Sequence, residues 1–549
     1  IKSIVLNQKV SEIKQFESNS GAAYTLLESF ILGSDWSDQL TSIDKMLSYS
    51  KQDIMDFASK YYVDGHVVIY KTKGEKEEVV KIEKPEITKV EVNRGKTSPF
   101  VDDILSRETQ SISPKFIDYK NDIEFGTYGK STPIWKVKEG DEQLFTLYYV
   151  LDIGSYHDQK LALAVEYLKL LGTNKYTADE ISKSFYDLAC NFGVSTGREQ
   201  SYVYLNGLES SFEEALKLFE HLLADAKPEQ AKLDMLVEQK LKARADAKLN
   251  KSRIMAKMRS FVLFGEQNPA NYILSEDQLR TIKADQLADY IHNLSSYKHK
   301  VWYSGPLSMK VLKKCLAKYH PNKSTFIESP TLKEFVMRDV DDVTVYFTHY
   351  DMVQAEVMWL KKSNLLDVNE NADISMFNEY FGGGMSSVVF QDIRESKALA
   401  YSTYSYYAKG SKPGDHNMVM AYVGTQSDKL GESIIAMNDL LTTLPVDEGK
   451  FQNGKNALMQ NIETSRILKT SILFDYDNSL KMGYKEDPRK QMANRLESIT
   501  MDDVVKFHSE KIQGDYQFAV LGSEESIDFE ILKKYGKVEM LPLELLFGY

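Results

Sequence analysis

The chain has 549 residues, of which 42% are hydrophobic and 27% charged, and it carries a formal net charge of −12. This composition supports several buried cores and argues against a disordered chain. The acidic balance argues against a nucleic-acid-binding protein, because neutralising phosphates needs a basic surface. Cys190 and Cys315 form no disulfide framework or zinc-ribbon spacing. No apolar run reaches the roughly 18 residues that a membrane-spanning helix needs.

A helix–strand pattern is repeated three times along the chain. Each copy has an aliphatic residue followed three positions later by an aromatic one, then a polar break and a short apolar strand that ends at glycine. The copies span residues 51–74, 284–306 and 501–523. Three chance helix–strand pairs are the alternative, but the matching order and length favour a duplicated domain.

The ends of the repeats divide the chain into four segments. Residues 1–76 are mostly helical and read as the C-terminal part of a domain. Residues 77–120 alternate charged and β-branched residues with prolines, which predicts an extended linker. Residues 121–325 and 326–549 each begin with strands and continue into helices. Strands and helices in separate blocks predict an α+β fold of tandem duplicated domains, each an antiparallel-rich sheet covered by helices.

The most unusual stretch is FGGGMSSVVFQDIRESKALAYSTYSYY at residues 381–407. Consecutive glycines cost backbone entropy, so a tight turn or a close backbone approach has to require them. The following segment has helical spacing, with Ser386 or Ser387 placed to cap its first amides. A glycine loop before a helix also suits phosphate, but neither the P-loop nor the dinucleotide fingerprint is present, which argues against a nucleotide site.

The segment GGGMSSVVFQDIRESKALAYSTYS resembles the signature that the pitrilysin/insulinase-like zinc peptidases, the inverzincins, carry in a C-terminal domain of each half. The repeated helix–strand pattern also resembles the series of similar α+β domains in that family. The resemblance implies two halves that close like a clamshell around a peptide chamber. It also implies a zinc ion held by an H-x-x-E-H motif in the first domain, whose glutamate activates the attacking water.

This sequence contains no H-x-x-E-H motif. Where the motif aligns, residues 163–167 read LAVEY, so neither zinc-ligand position holds a ligating side chain, and Glu166 is expected to be a helix-surface carboxylate. The resemblance therefore implies the C-terminal half of a four-domain member. Residues 1–76 would end its second domain, and 121–325 and 326–549 would be the third and fourth. Zinc is the expected cofactor of the full-length enzyme, while this chain alone is expected to bind no metal and to be inactive.

Two residues of the glycine-containing stretch are the candidate catalytic residues. In larger family members an arginine and a tyrosine seven residues apart reach across to the substrate, and Arg394 and Tyr401 have that spacing. The resemblance implies that the Arg394 guanidinium binds substrate carbonyls and that the Tyr401 hydroxyl donates to the oxyanion of the transition state. Composition alone favours another interpretation, in which Arg394 pairs with Glu395 or Asp392 and Tyr401 is ordinary strand packing.

Further contacts to the substrate are predicted nearby, and the predicted substrate-binding residues are Gly383, Gly384, Ser386 and Tyr404. The tyrosines after Tyr401 either line the peptide chamber or form a strand face of the domain core, and the sequence leaves both interpretations open. The expected partners are peptide substrates and the N-terminal catalytic half, as part of the same polypeptide or as a separate chain.

A second hypothesis is a non-catalytic family member, a partner or structural subunit that holds peptide without cutting it. Retention of Arg394 and Tyr401 favours the catalytic interpretation, because a purely structural subunit does not need them. The chain begins without an initiator Met, and we expect a fragment or a processed product. A bacterial periplasmic or secreted location is the suggested compartment, without support from a signal peptide.

Overall fold

The computed structural model describes residues 1–72, 74, 98–108, 112–140, 143–323, 325–340 and 342–549. Two units of similar construction follow a group of N-terminal helices, and each unit contains a six-stranded sheet with helices against it. The predicted α+β class with a duplicated sheet is confirmed.

Six helices precede the first sheet. They are α1 (Lys2–Glu17), α2 (Asn19–Leu32), α3 (Trp36–Leu40), α4 (Ser42–Ser48), α5 (Lys51–Tyr61) and α6 (Pro99–Ser106). One face of α1 packs on the first unit, where Leu6, Val10 and Ile13 contact a small buried cluster that includes Leu144 and Leu208. The N-terminal helices are therefore anchored to the first unit through α1.

The α6 helix corrects part of the linker prediction. Residues 77–120 were expected to be extended, and this is wrong for Pro99–Ser106. The side chain of Ser98 accepts a hydrogen bond from the amide of Val101, and Pro99 occupies the first turn, where its missing N–H is not needed. Residues 77–97 and 109–111 of the predicted linker lie outside the described residues.

The first unit runs through six strands and eight helices. Its strands are β1 (Ile123–Tyr128), β2 (Thr132–Val137), β3 (Leu144–Leu151), β4 (Cys190–Thr196), β5 (Ser201–Leu208) and β6 (His299–Ser304). Its helices are α7 (Gln159–Tyr167), α8 (Ala178–Asp187), α9 (Phe212–Asp225), α10 (Gln230–Ala247), α11 (Lys251–Phe264), α12 (Glu276–Thr281), α13 (Ala284–His292) and α14 (Met309–Tyr319). The strand order is β1-β2-β6-β3-β5-β4, and only β2 and β6 pair in parallel.

The second unit repeats this plan. Its strands are β7 (Thr344–His349), β8 (Gln354–Leu365), β9 (Ala400–Ala408), β10 (His416–Gln426), β11 (Gln517–Gly522) and β12 (Lys537–Met540). Its α-helices are α15 (Asn371–Asn378), α16 (Leu430–Thr442), α17 (Glu448–Thr464), α18 (Ile472–Met482), α19 (Pro488–Ser498), α20 (Met501–Phe507), α21 (Phe529–Lys533) and α22 (Leu543–Phe547). The strand order is β12-β7-β11-β8-β10-β9. Wider π-helical turns occupy Glu379–Gly383, Phe390–Ser396 and His508–Ile512.

Each sheet buries one face against helices of its own unit and the other face against a helix of the opposite unit. On the first sheet, Ile472 and Leu473 of α18 pack in a cluster with Trp302. On the second sheet, Met258 of α11 packs in a cluster with Leu360. This reciprocal exchange removes apolar surface of both sheets from water and holds the two units together.

The first copy of the repeat, residues 51–74, lacks its predicted strand. Residues 66–70 form no strand, and the side chains of Val67 and Ile69 are 89% and 90% exposed. In the other two copies the equivalent strands, β6 and β11, each lie between two neighbours. Residues 66–70 have no such neighbours in the described part of the chain, and a lone strand leaves its N–H and C=O groups without ladder partners. The strand prediction is therefore wrong for this copy.

Candidate functional site

The glycine-containing stretch lies where α15 meets the edge strand β9. The helix continues past Asn378 into the π-helical turn Glu379–Gly383. A Cβ at Gly382 would lie 2.0 Å from the carbonyl oxygen of Ser405 on β9, so a side chain has no room there. The predicted close approach of backbone to a neighbouring strand is therefore confirmed at this glycine.

The three glycines do not have equal steric roles. A Cβ at Gly383 would lie 2.9 Å from the carbonyl oxygen of Asn378, which needs a small shift. A Cβ at Gly384 would meet nothing closer than 3.6 Å. Packing therefore explains the glycine at 382, partly explains Gly383 and does not explain Gly384. The substrate-binding roles of Gly383 and Gly384 remain predictions.

The predicted helix after the glycines is present in a widened form. Residues Phe390–Ser396 are π-helical, and such turns occur often at functional sites. The hydroxyl of Ser387, which is buried, accepts a hydrogen bond from the amide of Phe390 at 3.4 Å. Ser387 is therefore the capping residue of the two alternatives, and the exposed Ser386 keeps its substrate role as a prediction.

The π-helical turn and the start of β9 bring Arg394 and Tyr401 together. The guanidinium carbon of Arg394 lies 5.7 Å from the ring centre of Tyr401 and 4.7 Å from that of Phe390. Tyr401 is 81% exposed. Neither the guanidinium nor the Tyr401 hydroxyl makes a hydrogen bond to any residue that the structure describes. The two polar ends therefore face solvent side by side, stabilised by cation–π contact.

The alternative pairing of Arg394 within its helix is weak. Its Nε lies 3.7 Å from Oε1 of Glu395, and both side chains are more than one-third exposed. Asp392 instead pairs with Lys397 at 2.6 Å. A loose, exposed ion pair of this kind contributes little and does not fix the guanidinium.

A β-bulge sets the direction of Tyr401. In the pairing of β9 with β10, Ser402 lies opposite Gly424 and Ala400 opposite Thr425, so Tyr401 is the extra residue. Bulges re-aim a side chain and occur often beside active sites. Sequence reasoning did not predict the bulge, since nothing in the local pattern marks an unpaired residue.

The other predicted tyrosine belongs to a different cluster. Tyr404 stacks between Tyr406, at 5.7 Å, and Tyr422, at 4.9 Å. Burial raises the pKa of Tyr404 to about 12, so its hydroxyl stays protonated. These rings pack on the sheet face that α11 covers, while Tyr407 is buried in the core on the opposite face. The structure thus places Tyr404 in domain packing, and its substrate role remains a prediction.

The helix that aligns with the zinc motif does not fit a zinc ion. Leu163 and Tyr167 on α7 are buried, and the Tyr167 hydroxyl donates to the carbonyl of Glu229 at 2.8 Å. Glu166 is half exposed and pairs with Lys240 of α10 at 2.6 Å. In the described ranges, no group of three or more His, Cys, Asp and Glu side chains is arranged to hold a metal ion.

Sequence reasoning missed Phe390, whose ring lies beneath the Arg394 guanidinium. The feature of the sequence that could have identified Phe390 is its position four residues before Arg394, which places both side chains on one face of a helix. Among the described residues, every helix is too short or too polar to cross a membrane.

Comparisons with known proteins agree with this architecture. Residues 281–458 match the family model described as peptidase M16 inactive domain. A Bacillus subtilis (strain 168) protein named uncharacterized zinc protease YmxG is 25% identical over 375 residues, which are 65% of this chain and 87% of that protein.

Two solved structures show the same fold. The peptidase M16 inactive domain from Pseudomonas fluorescens has a TM-score of 0.57 and 16% identity, covering 74% of this chain and 99% of that one. The periplasmic protease PqqL from Escherichia coli has a TM-score of 0.58 and 12% identity, covering 88% of this chain and 52% of that one. The chain therefore spans about half the length of PqqL. The match over residues 281–458 and the similarity to YmxG confirm the resemblance to the pitrilysin/insulinase-like M16 zinc peptidases, and the two solved structures show the same fold.

Proposed function

We propose that this chain is the non-zinc half of a peptidase that encloses peptides, and that it supplies Arg394 and Tyr401 to the reacting site. The observation that carries the proposal is the exposed Arg394–Tyr401 pair, whose polar ends make no hydrogen bond to a described residue and whose guanidinium has only a loose ion pair with Glu395. Two polar ends without hydrogen bonds, held side by side on a π-helical turn and a bulge, suit a substrate better than internal packing.

The two side chains have separate tasks. Arg394 presents a planar, permanently charged set of N–H donors, which suits the carbonyl oxygens of a bound peptide. Tyr401 presents one hydroxyl that donates to the scissile oxygen as negative charge develops on it. Because the donors are held before the reaction, little reorganisation is needed when that charge forms.

The zinc ion of such an enzyme belongs to another polypeptide segment, because the residues on α7 do not fit it. When bound there, zinc polarises the scissile carbonyl and activates water. On this proposal the present chain contributes no metal ligand to hydrolysis and acts only through its donors and its shape.

The N-terminal helices support the presence of a second half. Ile54 in α5 is 49% exposed, whereas the equivalent repeat residues Leu287 and Val504 are buried against the sheets of their units. We define the N-terminal apolar face by its exposed large side chains: Phe30, Ile31, Leu32, Ile54, Phe57, Val67 and Ile69. By analogy with the other two copies, the part of this face within residues 51–74 packs on a sheet that the zinc-carrying half supplies.

The proposed substrates are peptides too large for simple exopeptidases but small enough to be enclosed between two halves. The proposed location is periplasmic or secreted. PqqL, which is described as a periplasmic protease, has the same fold over 88% of this chain, and this likeness supports the proposal.

A non-catalytic partner subunit is the second candidate function. It is favoured by the match to a family model described as inactive and by the ion-paired Glu166 in place of a metal site. Such a subunit would bind peptide in the same chamber, but its Arg394 and Tyr401 would have no effect on cleavage.

The test is cleavage of a long, internally quenched peptide by this chain alone and by its mixture with the H-x-x-E-H half encoded upstream. We expect zinc-dependent, chelator-sensitive cleavage only in the mixture. Tyr401→Phe keeps the ring beside Arg394 and removes only the donor, and it should lower kcat by about 10²–10³-fold. Tyr186→Phe, on an exposed tyrosine of α8, is the matched control. An inactive mixture whose halves demonstrably associate would favour the non-catalytic subunit.

A further inference from the structure

A second polar site lies inside the first unit, at the end of a cavity of about 210 Å³ between the sheet and its helices. Four titratable side chains from separate elements meet there: Tyr149 of β3, Glu220 of α9, His299 of β6, and His320 just after α14. All four are at least 93% buried. Buried titratable groups are costly unless each is bonded, so their hydrogen bonds define the state of the cluster.

The hydrogen bonds fix one ring nitrogen of each histidine. Nδ1 of His299 lies 2.8 Å from the carbonyl oxygen of Tyr297, which only accepts, so this nitrogen carries a proton. Nδ1 of His320 lies 2.8 Å from Oε1 of Glu220. That same oxygen also accepts the hydroxyl of Tyr149, so Nδ1 of His320 donates to it.

These assignments leave the two Nε2 atoms facing each other at 3.0 Å. If both rings are neutral, two lone pairs point at one another, and the contact is repulsive. A proton on one Nε2 atom relieves this repulsion, and so does a metal ion that binds both atoms from beside the line that joins them. Because the Nδ1 proton of His299 is bonded to the Tyr297 carbonyl, a neutral His299 ring presents its Nε2 lone pair towards His320.

We propose that His299 and His320 bind a divalent transition-metal ion of the zinc class through their Nε2 atoms, with Glu220 orienting His320. Metal-binding histidines typically donate their other ring N–H to a carboxylate or a backbone carbonyl, and both forms occur here. Zn–N bonds of about 2.0–2.1 Å at tetrahedral angles need nitrogens roughly 3.3 Å apart, close to the 3.0 Å found.

The surroundings favour this class of ion. Imidazole nitrogens suit zinc, nickel and copper rather than magnesium or calcium, which prefer oxygen ligands. The protein supplies two ligands, and the adjoining cavity has room for the waters that complete the coordination, since a water occupies about 30 Å³.

The experiment adds Zn²⁺ alone to the purified chain and measures bound metal by equilibrium dialysis and elemental analysis. Co²⁺ absorption reports the coordination geometry. We expect one bound ion per chain. His299→Ala and His320→Ala should abolish binding while retaining native circular dichroism. Glu220→Gln should weaken affinity roughly 10–100-fold, because it loosens the orientation of a ligand without removing one.

Two control variants separate this site from others. His508→Ala removes another buried histidine, in the second unit, and should keep full binding. His66→Ala removes an exposed histidine of the N-terminal region and should also keep it. Absence of bound Zn²⁺ in the unsubstituted chain would overturn the proposal. Zn²⁺ binding that persists in folded His299→Ala would also overturn it. If His320→Ala fails to fold, the role of His320 is tested by Glu220→Gln, and an unchanged affinity of that variant would contradict it.

Discussion

The guanidinium carbon of Arg394 lies 5.7 Å from the ring centre of Tyr401, although the two residues belong to different elements. Arg394 lies on a π-helical turn that is anchored by Ile393, a residue buried in the core of the second unit. Tyr401 is the unpaired residue of a β-bulge. Their juxtaposition therefore depends on the packing of the turn against the sheet.

Replacing Arg394 by another positively charged residue is expected to lower the peptidase activity. Arg394→Lys retains a cation beside Tyr401 but loses the planar set of donors. We expect reduced kcat/KM in the two-half mixture with an unchanged melting temperature, because the side chain is partly exposed and only loosely paired. Arg253→Ala, an exposed arginine on α11, is the control. Full activity of Arg394→Lys would limit its role to that of a point charge.

Gly382, the first of the three consecutive glycines, is expected to be important for the stability of the fold. Gly382→Ala places a methyl group 2.0 Å from the Ser405 carbonyl oxygen, and because the nearest atoms are all backbone atoms of Ser405, little adjustment is possible. Overpacking of this kind costs about 1–3 kcal/mol. Urea unfolding should show that loss, whereas Gly384→Ala should leave the midpoint almost unchanged. Equal effects of the two substitutions would contradict the packing account.

A buried charge cluster joins the two units and gives a pH dependence. Asp477 of α18 lies 2.7 Å from Lys481 and 3.0 Å from Lys300 of β6. Burial alone raises the pKa of the Asp477 carboxyl, but hydrogen bonds and charges of these lysines lower it overall below 3.8. The carboxylate therefore stabilises the folded state above the unfolded pKa, and this contribution disappears as the pH falls through the lower folded value.

The corresponding variant is Asp477→Asn. It should lose roughly 3 kcal/mol of stability at neutral pH, since two lysines lose their shared partner. Its stability should approach that of the unsubstituted chain below about pH 4, as measured by denaturant titrations at several pH values. A stability difference that stays constant from neutral to acidic pH would show that the charge is not responsible.

Helix α7, which aligns with the zinc motif but lacks its histidines, is expected to tolerate substitution of Glu166. Glu166→Gln removes one partly exposed ion pair with Lys240, which is worth about 1 kcal/mol or less. Cleavage by the two-half mixture should be unchanged. A large loss of activity with normal stability would instead assign Glu166 a catalytic role.

The N-terminal apolar face is expected to act in association and not in the stability of this chain. Ile31→Asp changes a side chain that is 71% exposed, so the melting temperature should change little. Association with the zinc-carrying half, measured by sedimentation, should weaken clearly. Unchanged association would place the docking surface elsewhere.

Sequence patterns predicted the duplicated α+β plan because each repeat encodes its own helix and strand locally. The same logic failed at residues 66–70, where the pattern is present but no neighbouring strand pairs with it. It also failed at Pro99–Ser106, where a short capped helix interrupts a stretch that had been interpreted as extended.

The candidate site was partly predictable. The spacing of Arg394 and Tyr401 and the need for glycine beside a neighbouring strand are visible in the sequence. The π-helical turn and the bulge are not, because they arise from how the turn packs against β9. The cluster of Glu220, His299 and His320 is also invisible in sequence, since Glu220 lies 100 residues from His320.

The most direct measurement is kcat/KM for a quenched peptide in the two-half mixture with Tyr401→Phe, compared with the unsubstituted chain and Tyr186→Phe. We predict a loss of about 10²-fold or more for Tyr401→Phe, with association and stability unchanged. Equal activity of all three proteins would contradict the assignment of Tyr401 as a donor to the reacting oxygen.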